Sequence, residues 1–134
     1  DVIHCNGWMT SLMPLYIKEL YKDDPHFAGT KVVYNMFNKG FNNNWDAKFA
    51  EKLKFDGFSD EVTQNFVEPN YENIISGITK YIDGLSVGSE ELNPKLREIF
   101  ENVNCPKMDY VAEENLTKEV SAFLDKVIDA EVLI

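Results

Sequence analysis

Apolar positions along this chain follow two rhythms. Short runs rich in β-branched and aromatic residues stand at Val2-Ile3-His4-Cys5, at Lys31–Phe37 around Val32-Val33-Tyr34, at Leu85-Ser86-Val87 and at Met108–Val111. Runs of this length, closed by Asn, Asp or Gly, read as strands of a parallel sheet. Between them apolar residues recur every three or four positions, the spacing of one helical face. Leu12, Met13, Tyr16, Ile17, Leu20 and Tyr21 make the first such stripe, stopped by Lys22-Asp23-Asp24-Pro25. Ile74, Ile75, Ile78, Tyr81 and Ile82 make the second, with Asn70 as its N-cap. Leu92, Leu96, Ile99, Phe100 and Val103 make the third, and Asn93-Pro94 suits its start as cap and first helical residue. Leu116, Val120, Phe123, Leu124, Val127 and Ile128 make the last. Residues 46–66 predict only short helices, around Ala47–Leu53 and Asp60–Phe66. Lys39-Gly40-Phe41-Asn42-Asn43-Asn44 predicts a loop, because Gly and Asn accept positive φ.

This order of elements predicts an α/β fold. It is a Rossmann-like, three-layer parallel sheet of about four strands, with crossover helices on both faces. Residues 1–134 fit one domain. A strand apolar on both faces expects neighbours on both sides, so Val2–Cys5 at the chain start implies strands upstream and a chain that is part of something longer. It also implies an open sheet edge, available for self-association or for an upstream segment of the same protein.

Charge narrows the partners. Thirteen basic residues against twenty-three acidic ones give a formal net charge of −10, which argues against nucleic acid and against anionic membrane surfaces. No apolar run approaches the ~18 residues of a membrane span, and no secretory segment is visible. Cys5 and Cys105 are too few and too far apart for a disulfide framework. They read as free thiols in a reducing, cytoplasmic compartment. Neither pairs with His4 at a metal-ligand spacing, so no metal and no cofactor is expected.

Three stretches carry a family resemblance. "DVIHCNGWMTSLMPLYIK", "FAGTKVVYNMFNKGF" and "IISGITKYIDGLSVGSEELNPKL" resemble, in the same order and at similar separations, stretches of the starch and bacterial glycogen synthases. The resemblance spans residues 1 to about 98 and extends to short bacterial synthase-like proteins; beyond it only the architecture matches. It implies a two-Rossmann-domain glycosyltransferase that moves glucose from ADP-glucose to an α-1,4-glucan, with this chain as the second half of the N-terminal domain. The family's Lys-Thr-Gly-Gly-Leu loop and its nucleotide-sugar domain both lie outside the sequence. Family motifs inside it have changed. Asp-Trp-His is Gly7-Trp8-Met9, His-Asn is Phe37-Asn38, the Lys of Lys-Ala-Gly is Ser76, and Ser-Pro-Thr is Ser89-Glu90-Glu91. One lost electrostatic donor costs a catalyst ~3 kcal/mol. The expectation is therefore a pseudoenzyme with no catalytic residues, or alternatively a non-catalytic glucan-binding or protein-interaction module.

The candidate substrate-binding residues are Trp8, Asn38, Phe41 and Trp45. Sugar sites combine stacking rings with amide groups, and these four lie in loops that follow the first two strands. The partner expected there is a neutral α-glucan, bound weakly. Each residue also has a bland account. Trp8 can plug the sheet edge with Met9 filling a core gap, and Asn38, Phe41 and Trp45 can form an ordinary anchored turn. His4 is expected to be a buried, hydrogen-bonded strand histidine and His26 an exposed one. Glu90-Glu91 is expected to open a helix, where carboxylates suit the dipole.

Overall fold

The computed structural model describes residues 2–41 and 43–130. Among them, four strands lie in one all-parallel sheet: β1 (Val2–Asn6), β2 (Lys31–Met36), β3 (Gly84–Val87) and β4 (Lys107–Met108), in the order β1-β2-β3-β4. The helices are α1 (Met13–Leu15), continued by a π-helical turn (Tyr16–Leu20), then α2 (Phe49–Phe55), α3 (Asp60–Thr63), α4 (Tyr71–Ile78), α5 (Pro94–Asn102) and α6 (Glu113–Asp129). The α/β, Rossmann-like half-domain expected from the sequence is the fold observed.

Strand alternation divides the two faces. Val32, Tyr34 and Met36 of β2, Cys5 of β1, and Leu85 and Val87 of β3 point into the main core, against Leu15, Ile17, Phe66, Ile74, Ile78 and Leu96. Val33 points the other way and meets Phe123 and Val127 of α6. Helices do cover both faces, but the crossovers are not what puts them there. A sheet that adds each strand on the same side sends all its right-handed crossovers to one face. Among the described residues only the helix after β4 reaches the other.

Local chemistry sets the element ends. Asn70 Oδ1 accepts the Asn73 N–H at 2.8 Å and Asn93 Oδ1 accepts the Leu96 N–H at 3.0 Å, so α4 and α5 start at the expected side-chain caps. Asp83 fastens the amino end of β2. Its carboxylate accepts the Val32 N–H at 2.8 Å, and it meets Lys18 of the π turn at 2.7 Å.

Four expectations need correction. Strand β1 is not apolar along both faces, because on the face where Val2 packs toward α6 both His4 and Asn6 are exposed, while Cys5 is buried on the other. Strand β4 stops at Met108 rather than running to Val111. The Asp109 carboxylate is drawn to Arg97 at 2.8 Å and also accepts the Tyr110 N–H, turning the chain away from the ladder. Glu90 and Glu91 lie in the exposed bend before α5, which carries no acidic residue in its first turn. The first stripe is not one α-helix. Its second half widens to i→i+5 bonding, with the Tyr21 N–H donating to Tyr16 O at 3.0 Å.

Candidate functional site

The carboxyl ends of β1 and β2 are adjacent, and the loops that follow them meet. Gly7, at φ 80°, turns the chain out of β1 in a conformation that favours glycine. Its carbonyl accepts the Tyr34 hydroxyl at 2.9 Å and the Thr10 hydroxyl at 3.0 Å. This fixed turn sets Trp8, which is 39% exposed.

Trp8 stands edge-on to Phe41, with ring centroids 5.8 Å apart, and Phe41 stacks on Trp45 at 4.6 Å and 22°. Three of the four expected contact residues are thus brought into one cluster. Trp45 continues through Phe49 to Phe66 in the core, so the cluster is the solvent end of an aromatic column. The Tyr71 ring also meets Phe41 edge-on, and its hydroxyl donates to Phe37 O at 2.6 Å. Burial pushes the Tyr71 phenol up to about 12, so it stays a donor at neutral pH. A Cβ on Gly40 would collide with the Tyr71 ring, which explains the glycine there.

Asn38 is occupied differently. Its backbone N–H donates to Ser89 Oγ at 2.9 Å, and its Oδ1 accepts the Asn93 N–H at 2.7 Å. It ties the loop after β2 to the segment that leads into α5. Its side-chain NH2 has no protein partner among the described residues, so it retains donors for a ligand.

Met9 does not fill a core gap; it is 81% exposed because the turn at Gly7 directs the chain outward. His4 is likewise not a buried, hydrogen-bonded histidine. It lies on the second face of the sheet, exposed, and its imidazole makes no hydrogen bond to protein among the described residues. Partial burial still holds its pKa below 6.5. His26 is exposed, as expected, and its ring lies 2.9 Å from the Asp24 carboxylate.

Beside the cluster, Trp8 and Trp45 form one wall of an apolar groove of about 580 Å³, completed by Met13, Tyr21 and Phe27. Ser11 lines it too, 1% exposed, with an Oγ that finds no partner. Met13 and Tyr21 belong to the first apolar stripe and read as core in the sequence. The π turn rotates Tyr21 off the core face, and the only local signal was Pro14 near the start of that stripe.

Stacking surface, an apolar groove and amide donors suit a neutral ligand with apolar C–H faces. Among the described residues no three His, Cys, Asp or Glu side chains come together as a metal ion would require. Cys5 and Cys105 are free thiols whose pKa values burial raises to about 11, which keeps them protonated and poorly nucleophilic.

A four-strand parallel sheet with crossover helices defines the class, a Rossmann-like α/β fold, in which ligands bind at the carboxyl edge of the strands. The family model for the starch synthase catalytic domain matches residues 1–108, and the chain belongs to that family. The glycogen synthase of Thermosipho africanus is 32% identical over 130 residues, 96% of this chain and 22% of that protein. The glycogen synthase of Lachnospira eligens is 29% identical over 106 residues, 78% of this chain and 22% of its own length. That of Thermotoga petrophila is 40% identical over 62 residues, 46% of this chain and 12% of its own. The chain therefore spans less than a quarter of these relatives. No solved structure matches it.

Proposed function

We propose that this chain is a glucan-facing half-domain of glycogen-synthase type that binds α-1,4-glucan weakly and does not itself transfer glucose. The family reaction is glucosyl transfer from ADP-glucose to an α-1,4-glucan. Met9 and Phe37 replace the two family imidazoles, and neither residue can share or carry a proton. The observation that carries the binding reading is the Trp8–Phe41–Trp45 cluster at the carboxyl edge of the sheet. An indole face packs against the C–H side of a pyranose, and Asn38 can donate to a sugar hydroxyl. No charge is needed, which fits an acidic chain and a neutral polymer. No described helix is long and apolar enough to cross a membrane, and we read the protein as cytoplasmic.

Two assays test this. Labelled ADP-glucose should give no incorporation into glycogen above background. Migration through a native gel should be retarded by embedded glycogen for the wild type, and less so for Trp8→Ala. Steady incorporation that vanishes in Trp8→Ala would restore the enzyme reading, and migration indifferent to glycogen would remove the binding one.

The second reading, a protein-interaction module, rests on β1. Among the described residues β1 pairs with β2 alone. Its free edge suits a second copy or an upstream segment of the same protein. Sedimentation that stays monomeric at high concentration would count against self-association.

A further inference from the structure

The groove beside the aromatic cluster has a chemistry of its own. Trp8, Trp45, Met13, Tyr21 and Phe27 wall a space of about 580 Å³, within the usual range for small-molecule sites. Among the described residues no charged side chain lines it. Asn38 and Phe41, which the glucan reading uses, do not line it either. Tyr21 and Phe27 form a tilted pair with ring centroids 6.2 Å apart. Trp8, Met13 and Tyr21 all present exposed apolar surface, and a contiguous patch of that kind marks an interaction site.

Ser11 lines the same groove although it is only 1% exposed. It follows the tight turn Trp8–Thr10, and its N–H closes that turn on Trp8 O at 3.1 Å. Its Oγ has no protein partner among the described residues. The carbonyl that opens the turn, Gly7 O, already accepts the hydroxyls of Thr10 and Tyr34. A buried hydroxyl left unpaired destabilises a fold, so its presence calls for a reason.

We propose that the groove binds an uncharged, planar aromatic molecule of two or three fused rings that carries one hydrogen-bonding atom. The rings of Trp8, Trp45 and Tyr21 pack against such a plane, and the Met13 thioether adapts to its edge. Its polar atom pairs with Ser11 Oγ, which can donate or accept. A saccharide is disfavoured, because most of its hydroxyls would face carbon and lose water without replacement. An aliphatic side chain from a partner protein would fill the groove but leave Ser11 unpaired. An aromatic acid would find no cation to receive it and would meet a net charge of −10. The groove shares Trp8 and Trp45 with the aromatic cluster, but the proposal does not rest on glucan binding there.

Protein with isotope-labelled methionine methyls, titrated with quinoline, tests the proposal. Quinoline is planar, uncharged at neutral pH and accepts one hydrogen bond. Its ring current should move the Met13 methyl along one saturation curve, with a Kd on the order of 0.1–1 mM. Met36, fully buried and outside the groove, should stay fixed. Ser11→Ala should weaken quinoline at least about fivefold and raise the urea midpoint of the free protein, because the unpaired hydroxyl is gone. Tyr21→Ala, at an exposed position, should weaken binding without raising the midpoint. Maltose and 2-naphthoate should leave Met13 in place. A Met13 methyl unmoved at about 10 mM quinoline, well above that Kd, would overturn the site, and so would equal affinity in wild type and Ser11→Ala. A stronger Met13 response to maltose or 2-naphthoate would overturn the ligand class. Tighter binding of N-acetyl-tryptophanamide would overturn it in favour of a peptide side chain. Indoles that follow maltoheptaose while Met13 ignores quinoline would overturn the groove and leave the glucan reading intact.

Discussion

Gly40 is the residue on which the aromatic cluster turns. Any side chain there meets the Tyr71 ring, and Tyr71 holds both Phe41 and the Phe37 carbonyl. Gly40→Ala should therefore cost about 1–3 kcal/mol in urea unfolding and shift both tryptophan indole resonances. An unchanged midpoint with unmoved indoles would disprove the contact. The Asn93 side chain caps α5 by accepting the Leu96 N–H and donates to Glu72, while its backbone N–H donates to Asn38. Asn93→Ala should lower stability by about 1 kcal/mol, read as a lower urea midpoint at constant slope. His4 should titrate by NMR below 6.5. With its pKa lowered in the folded state, the unfolded chain takes the proton first. Its contribution is full above pH 6.5 and is lost as pH falls from there toward the folded value, and His4→Gln should remove that part of the acid sensitivity. At this scale the caps were legible because capping is local chemistry. His4 was not, because whether a strand residue is buried depends on what covers its face, and nothing near residue 4 records that.

Among the longer helices, α6 buries the smallest share of its residues. Only Phe123 and Val127 of this 17-residue helix are buried, and they share one small cluster with Val33. Helix α4, by contrast, buries Tyr71, Ile74, Ile75, Gly77 and Ile78. Amides of α6 should exchange with deuterium well before those of α4 and β2; equal protection would show that α6 is an integral part of the core. Both helices have clear apolar stripes, so periodicity marked each of them without telling how deeply each is buried. The first stripe shows a different limit. Ile17 is buried, and so is Leu15, which the stripe leaves out, yet Met13 and Tyr21 are exposed and line the groove. Spacing of three and four assumes α-helical bonding, and the wider π turn breaks that register. Strand β4 was overextended for a similar reason, since the Arg97–Asp109 pair that ends it joins residues twelve positions apart.

At the scale of the whole molecule, strand order decides where chemistry can occur. The β1–β2 pairing brings the loops after Asn6 and Met36 side by side, which is why Trp8 and Phe41 touch. The sequence supported that convergence as a condition, that the two loops meet if the first two strands are neighbours, and the β1–β2 pairing meets it. The monotonic order was not legible, since alternating elements fix a parallel sheet but not the sequence of its neighbours. From that order comes the single crossover face. The proposed glucan contact is the Trp8–Phe41–Trp45 cluster at the carboxyl edge of the sheet. Titrating maltoheptaose while following the Trp8 and Trp45 indole signals tests it most directly. Both should move together along one saturation curve, with a Kd on the order of millimolar, and Trp8→Ala should abolish the movement at Trp45. Two indoles that stay fixed at several times that concentration, or that move along unrelated curves, would contradict the account.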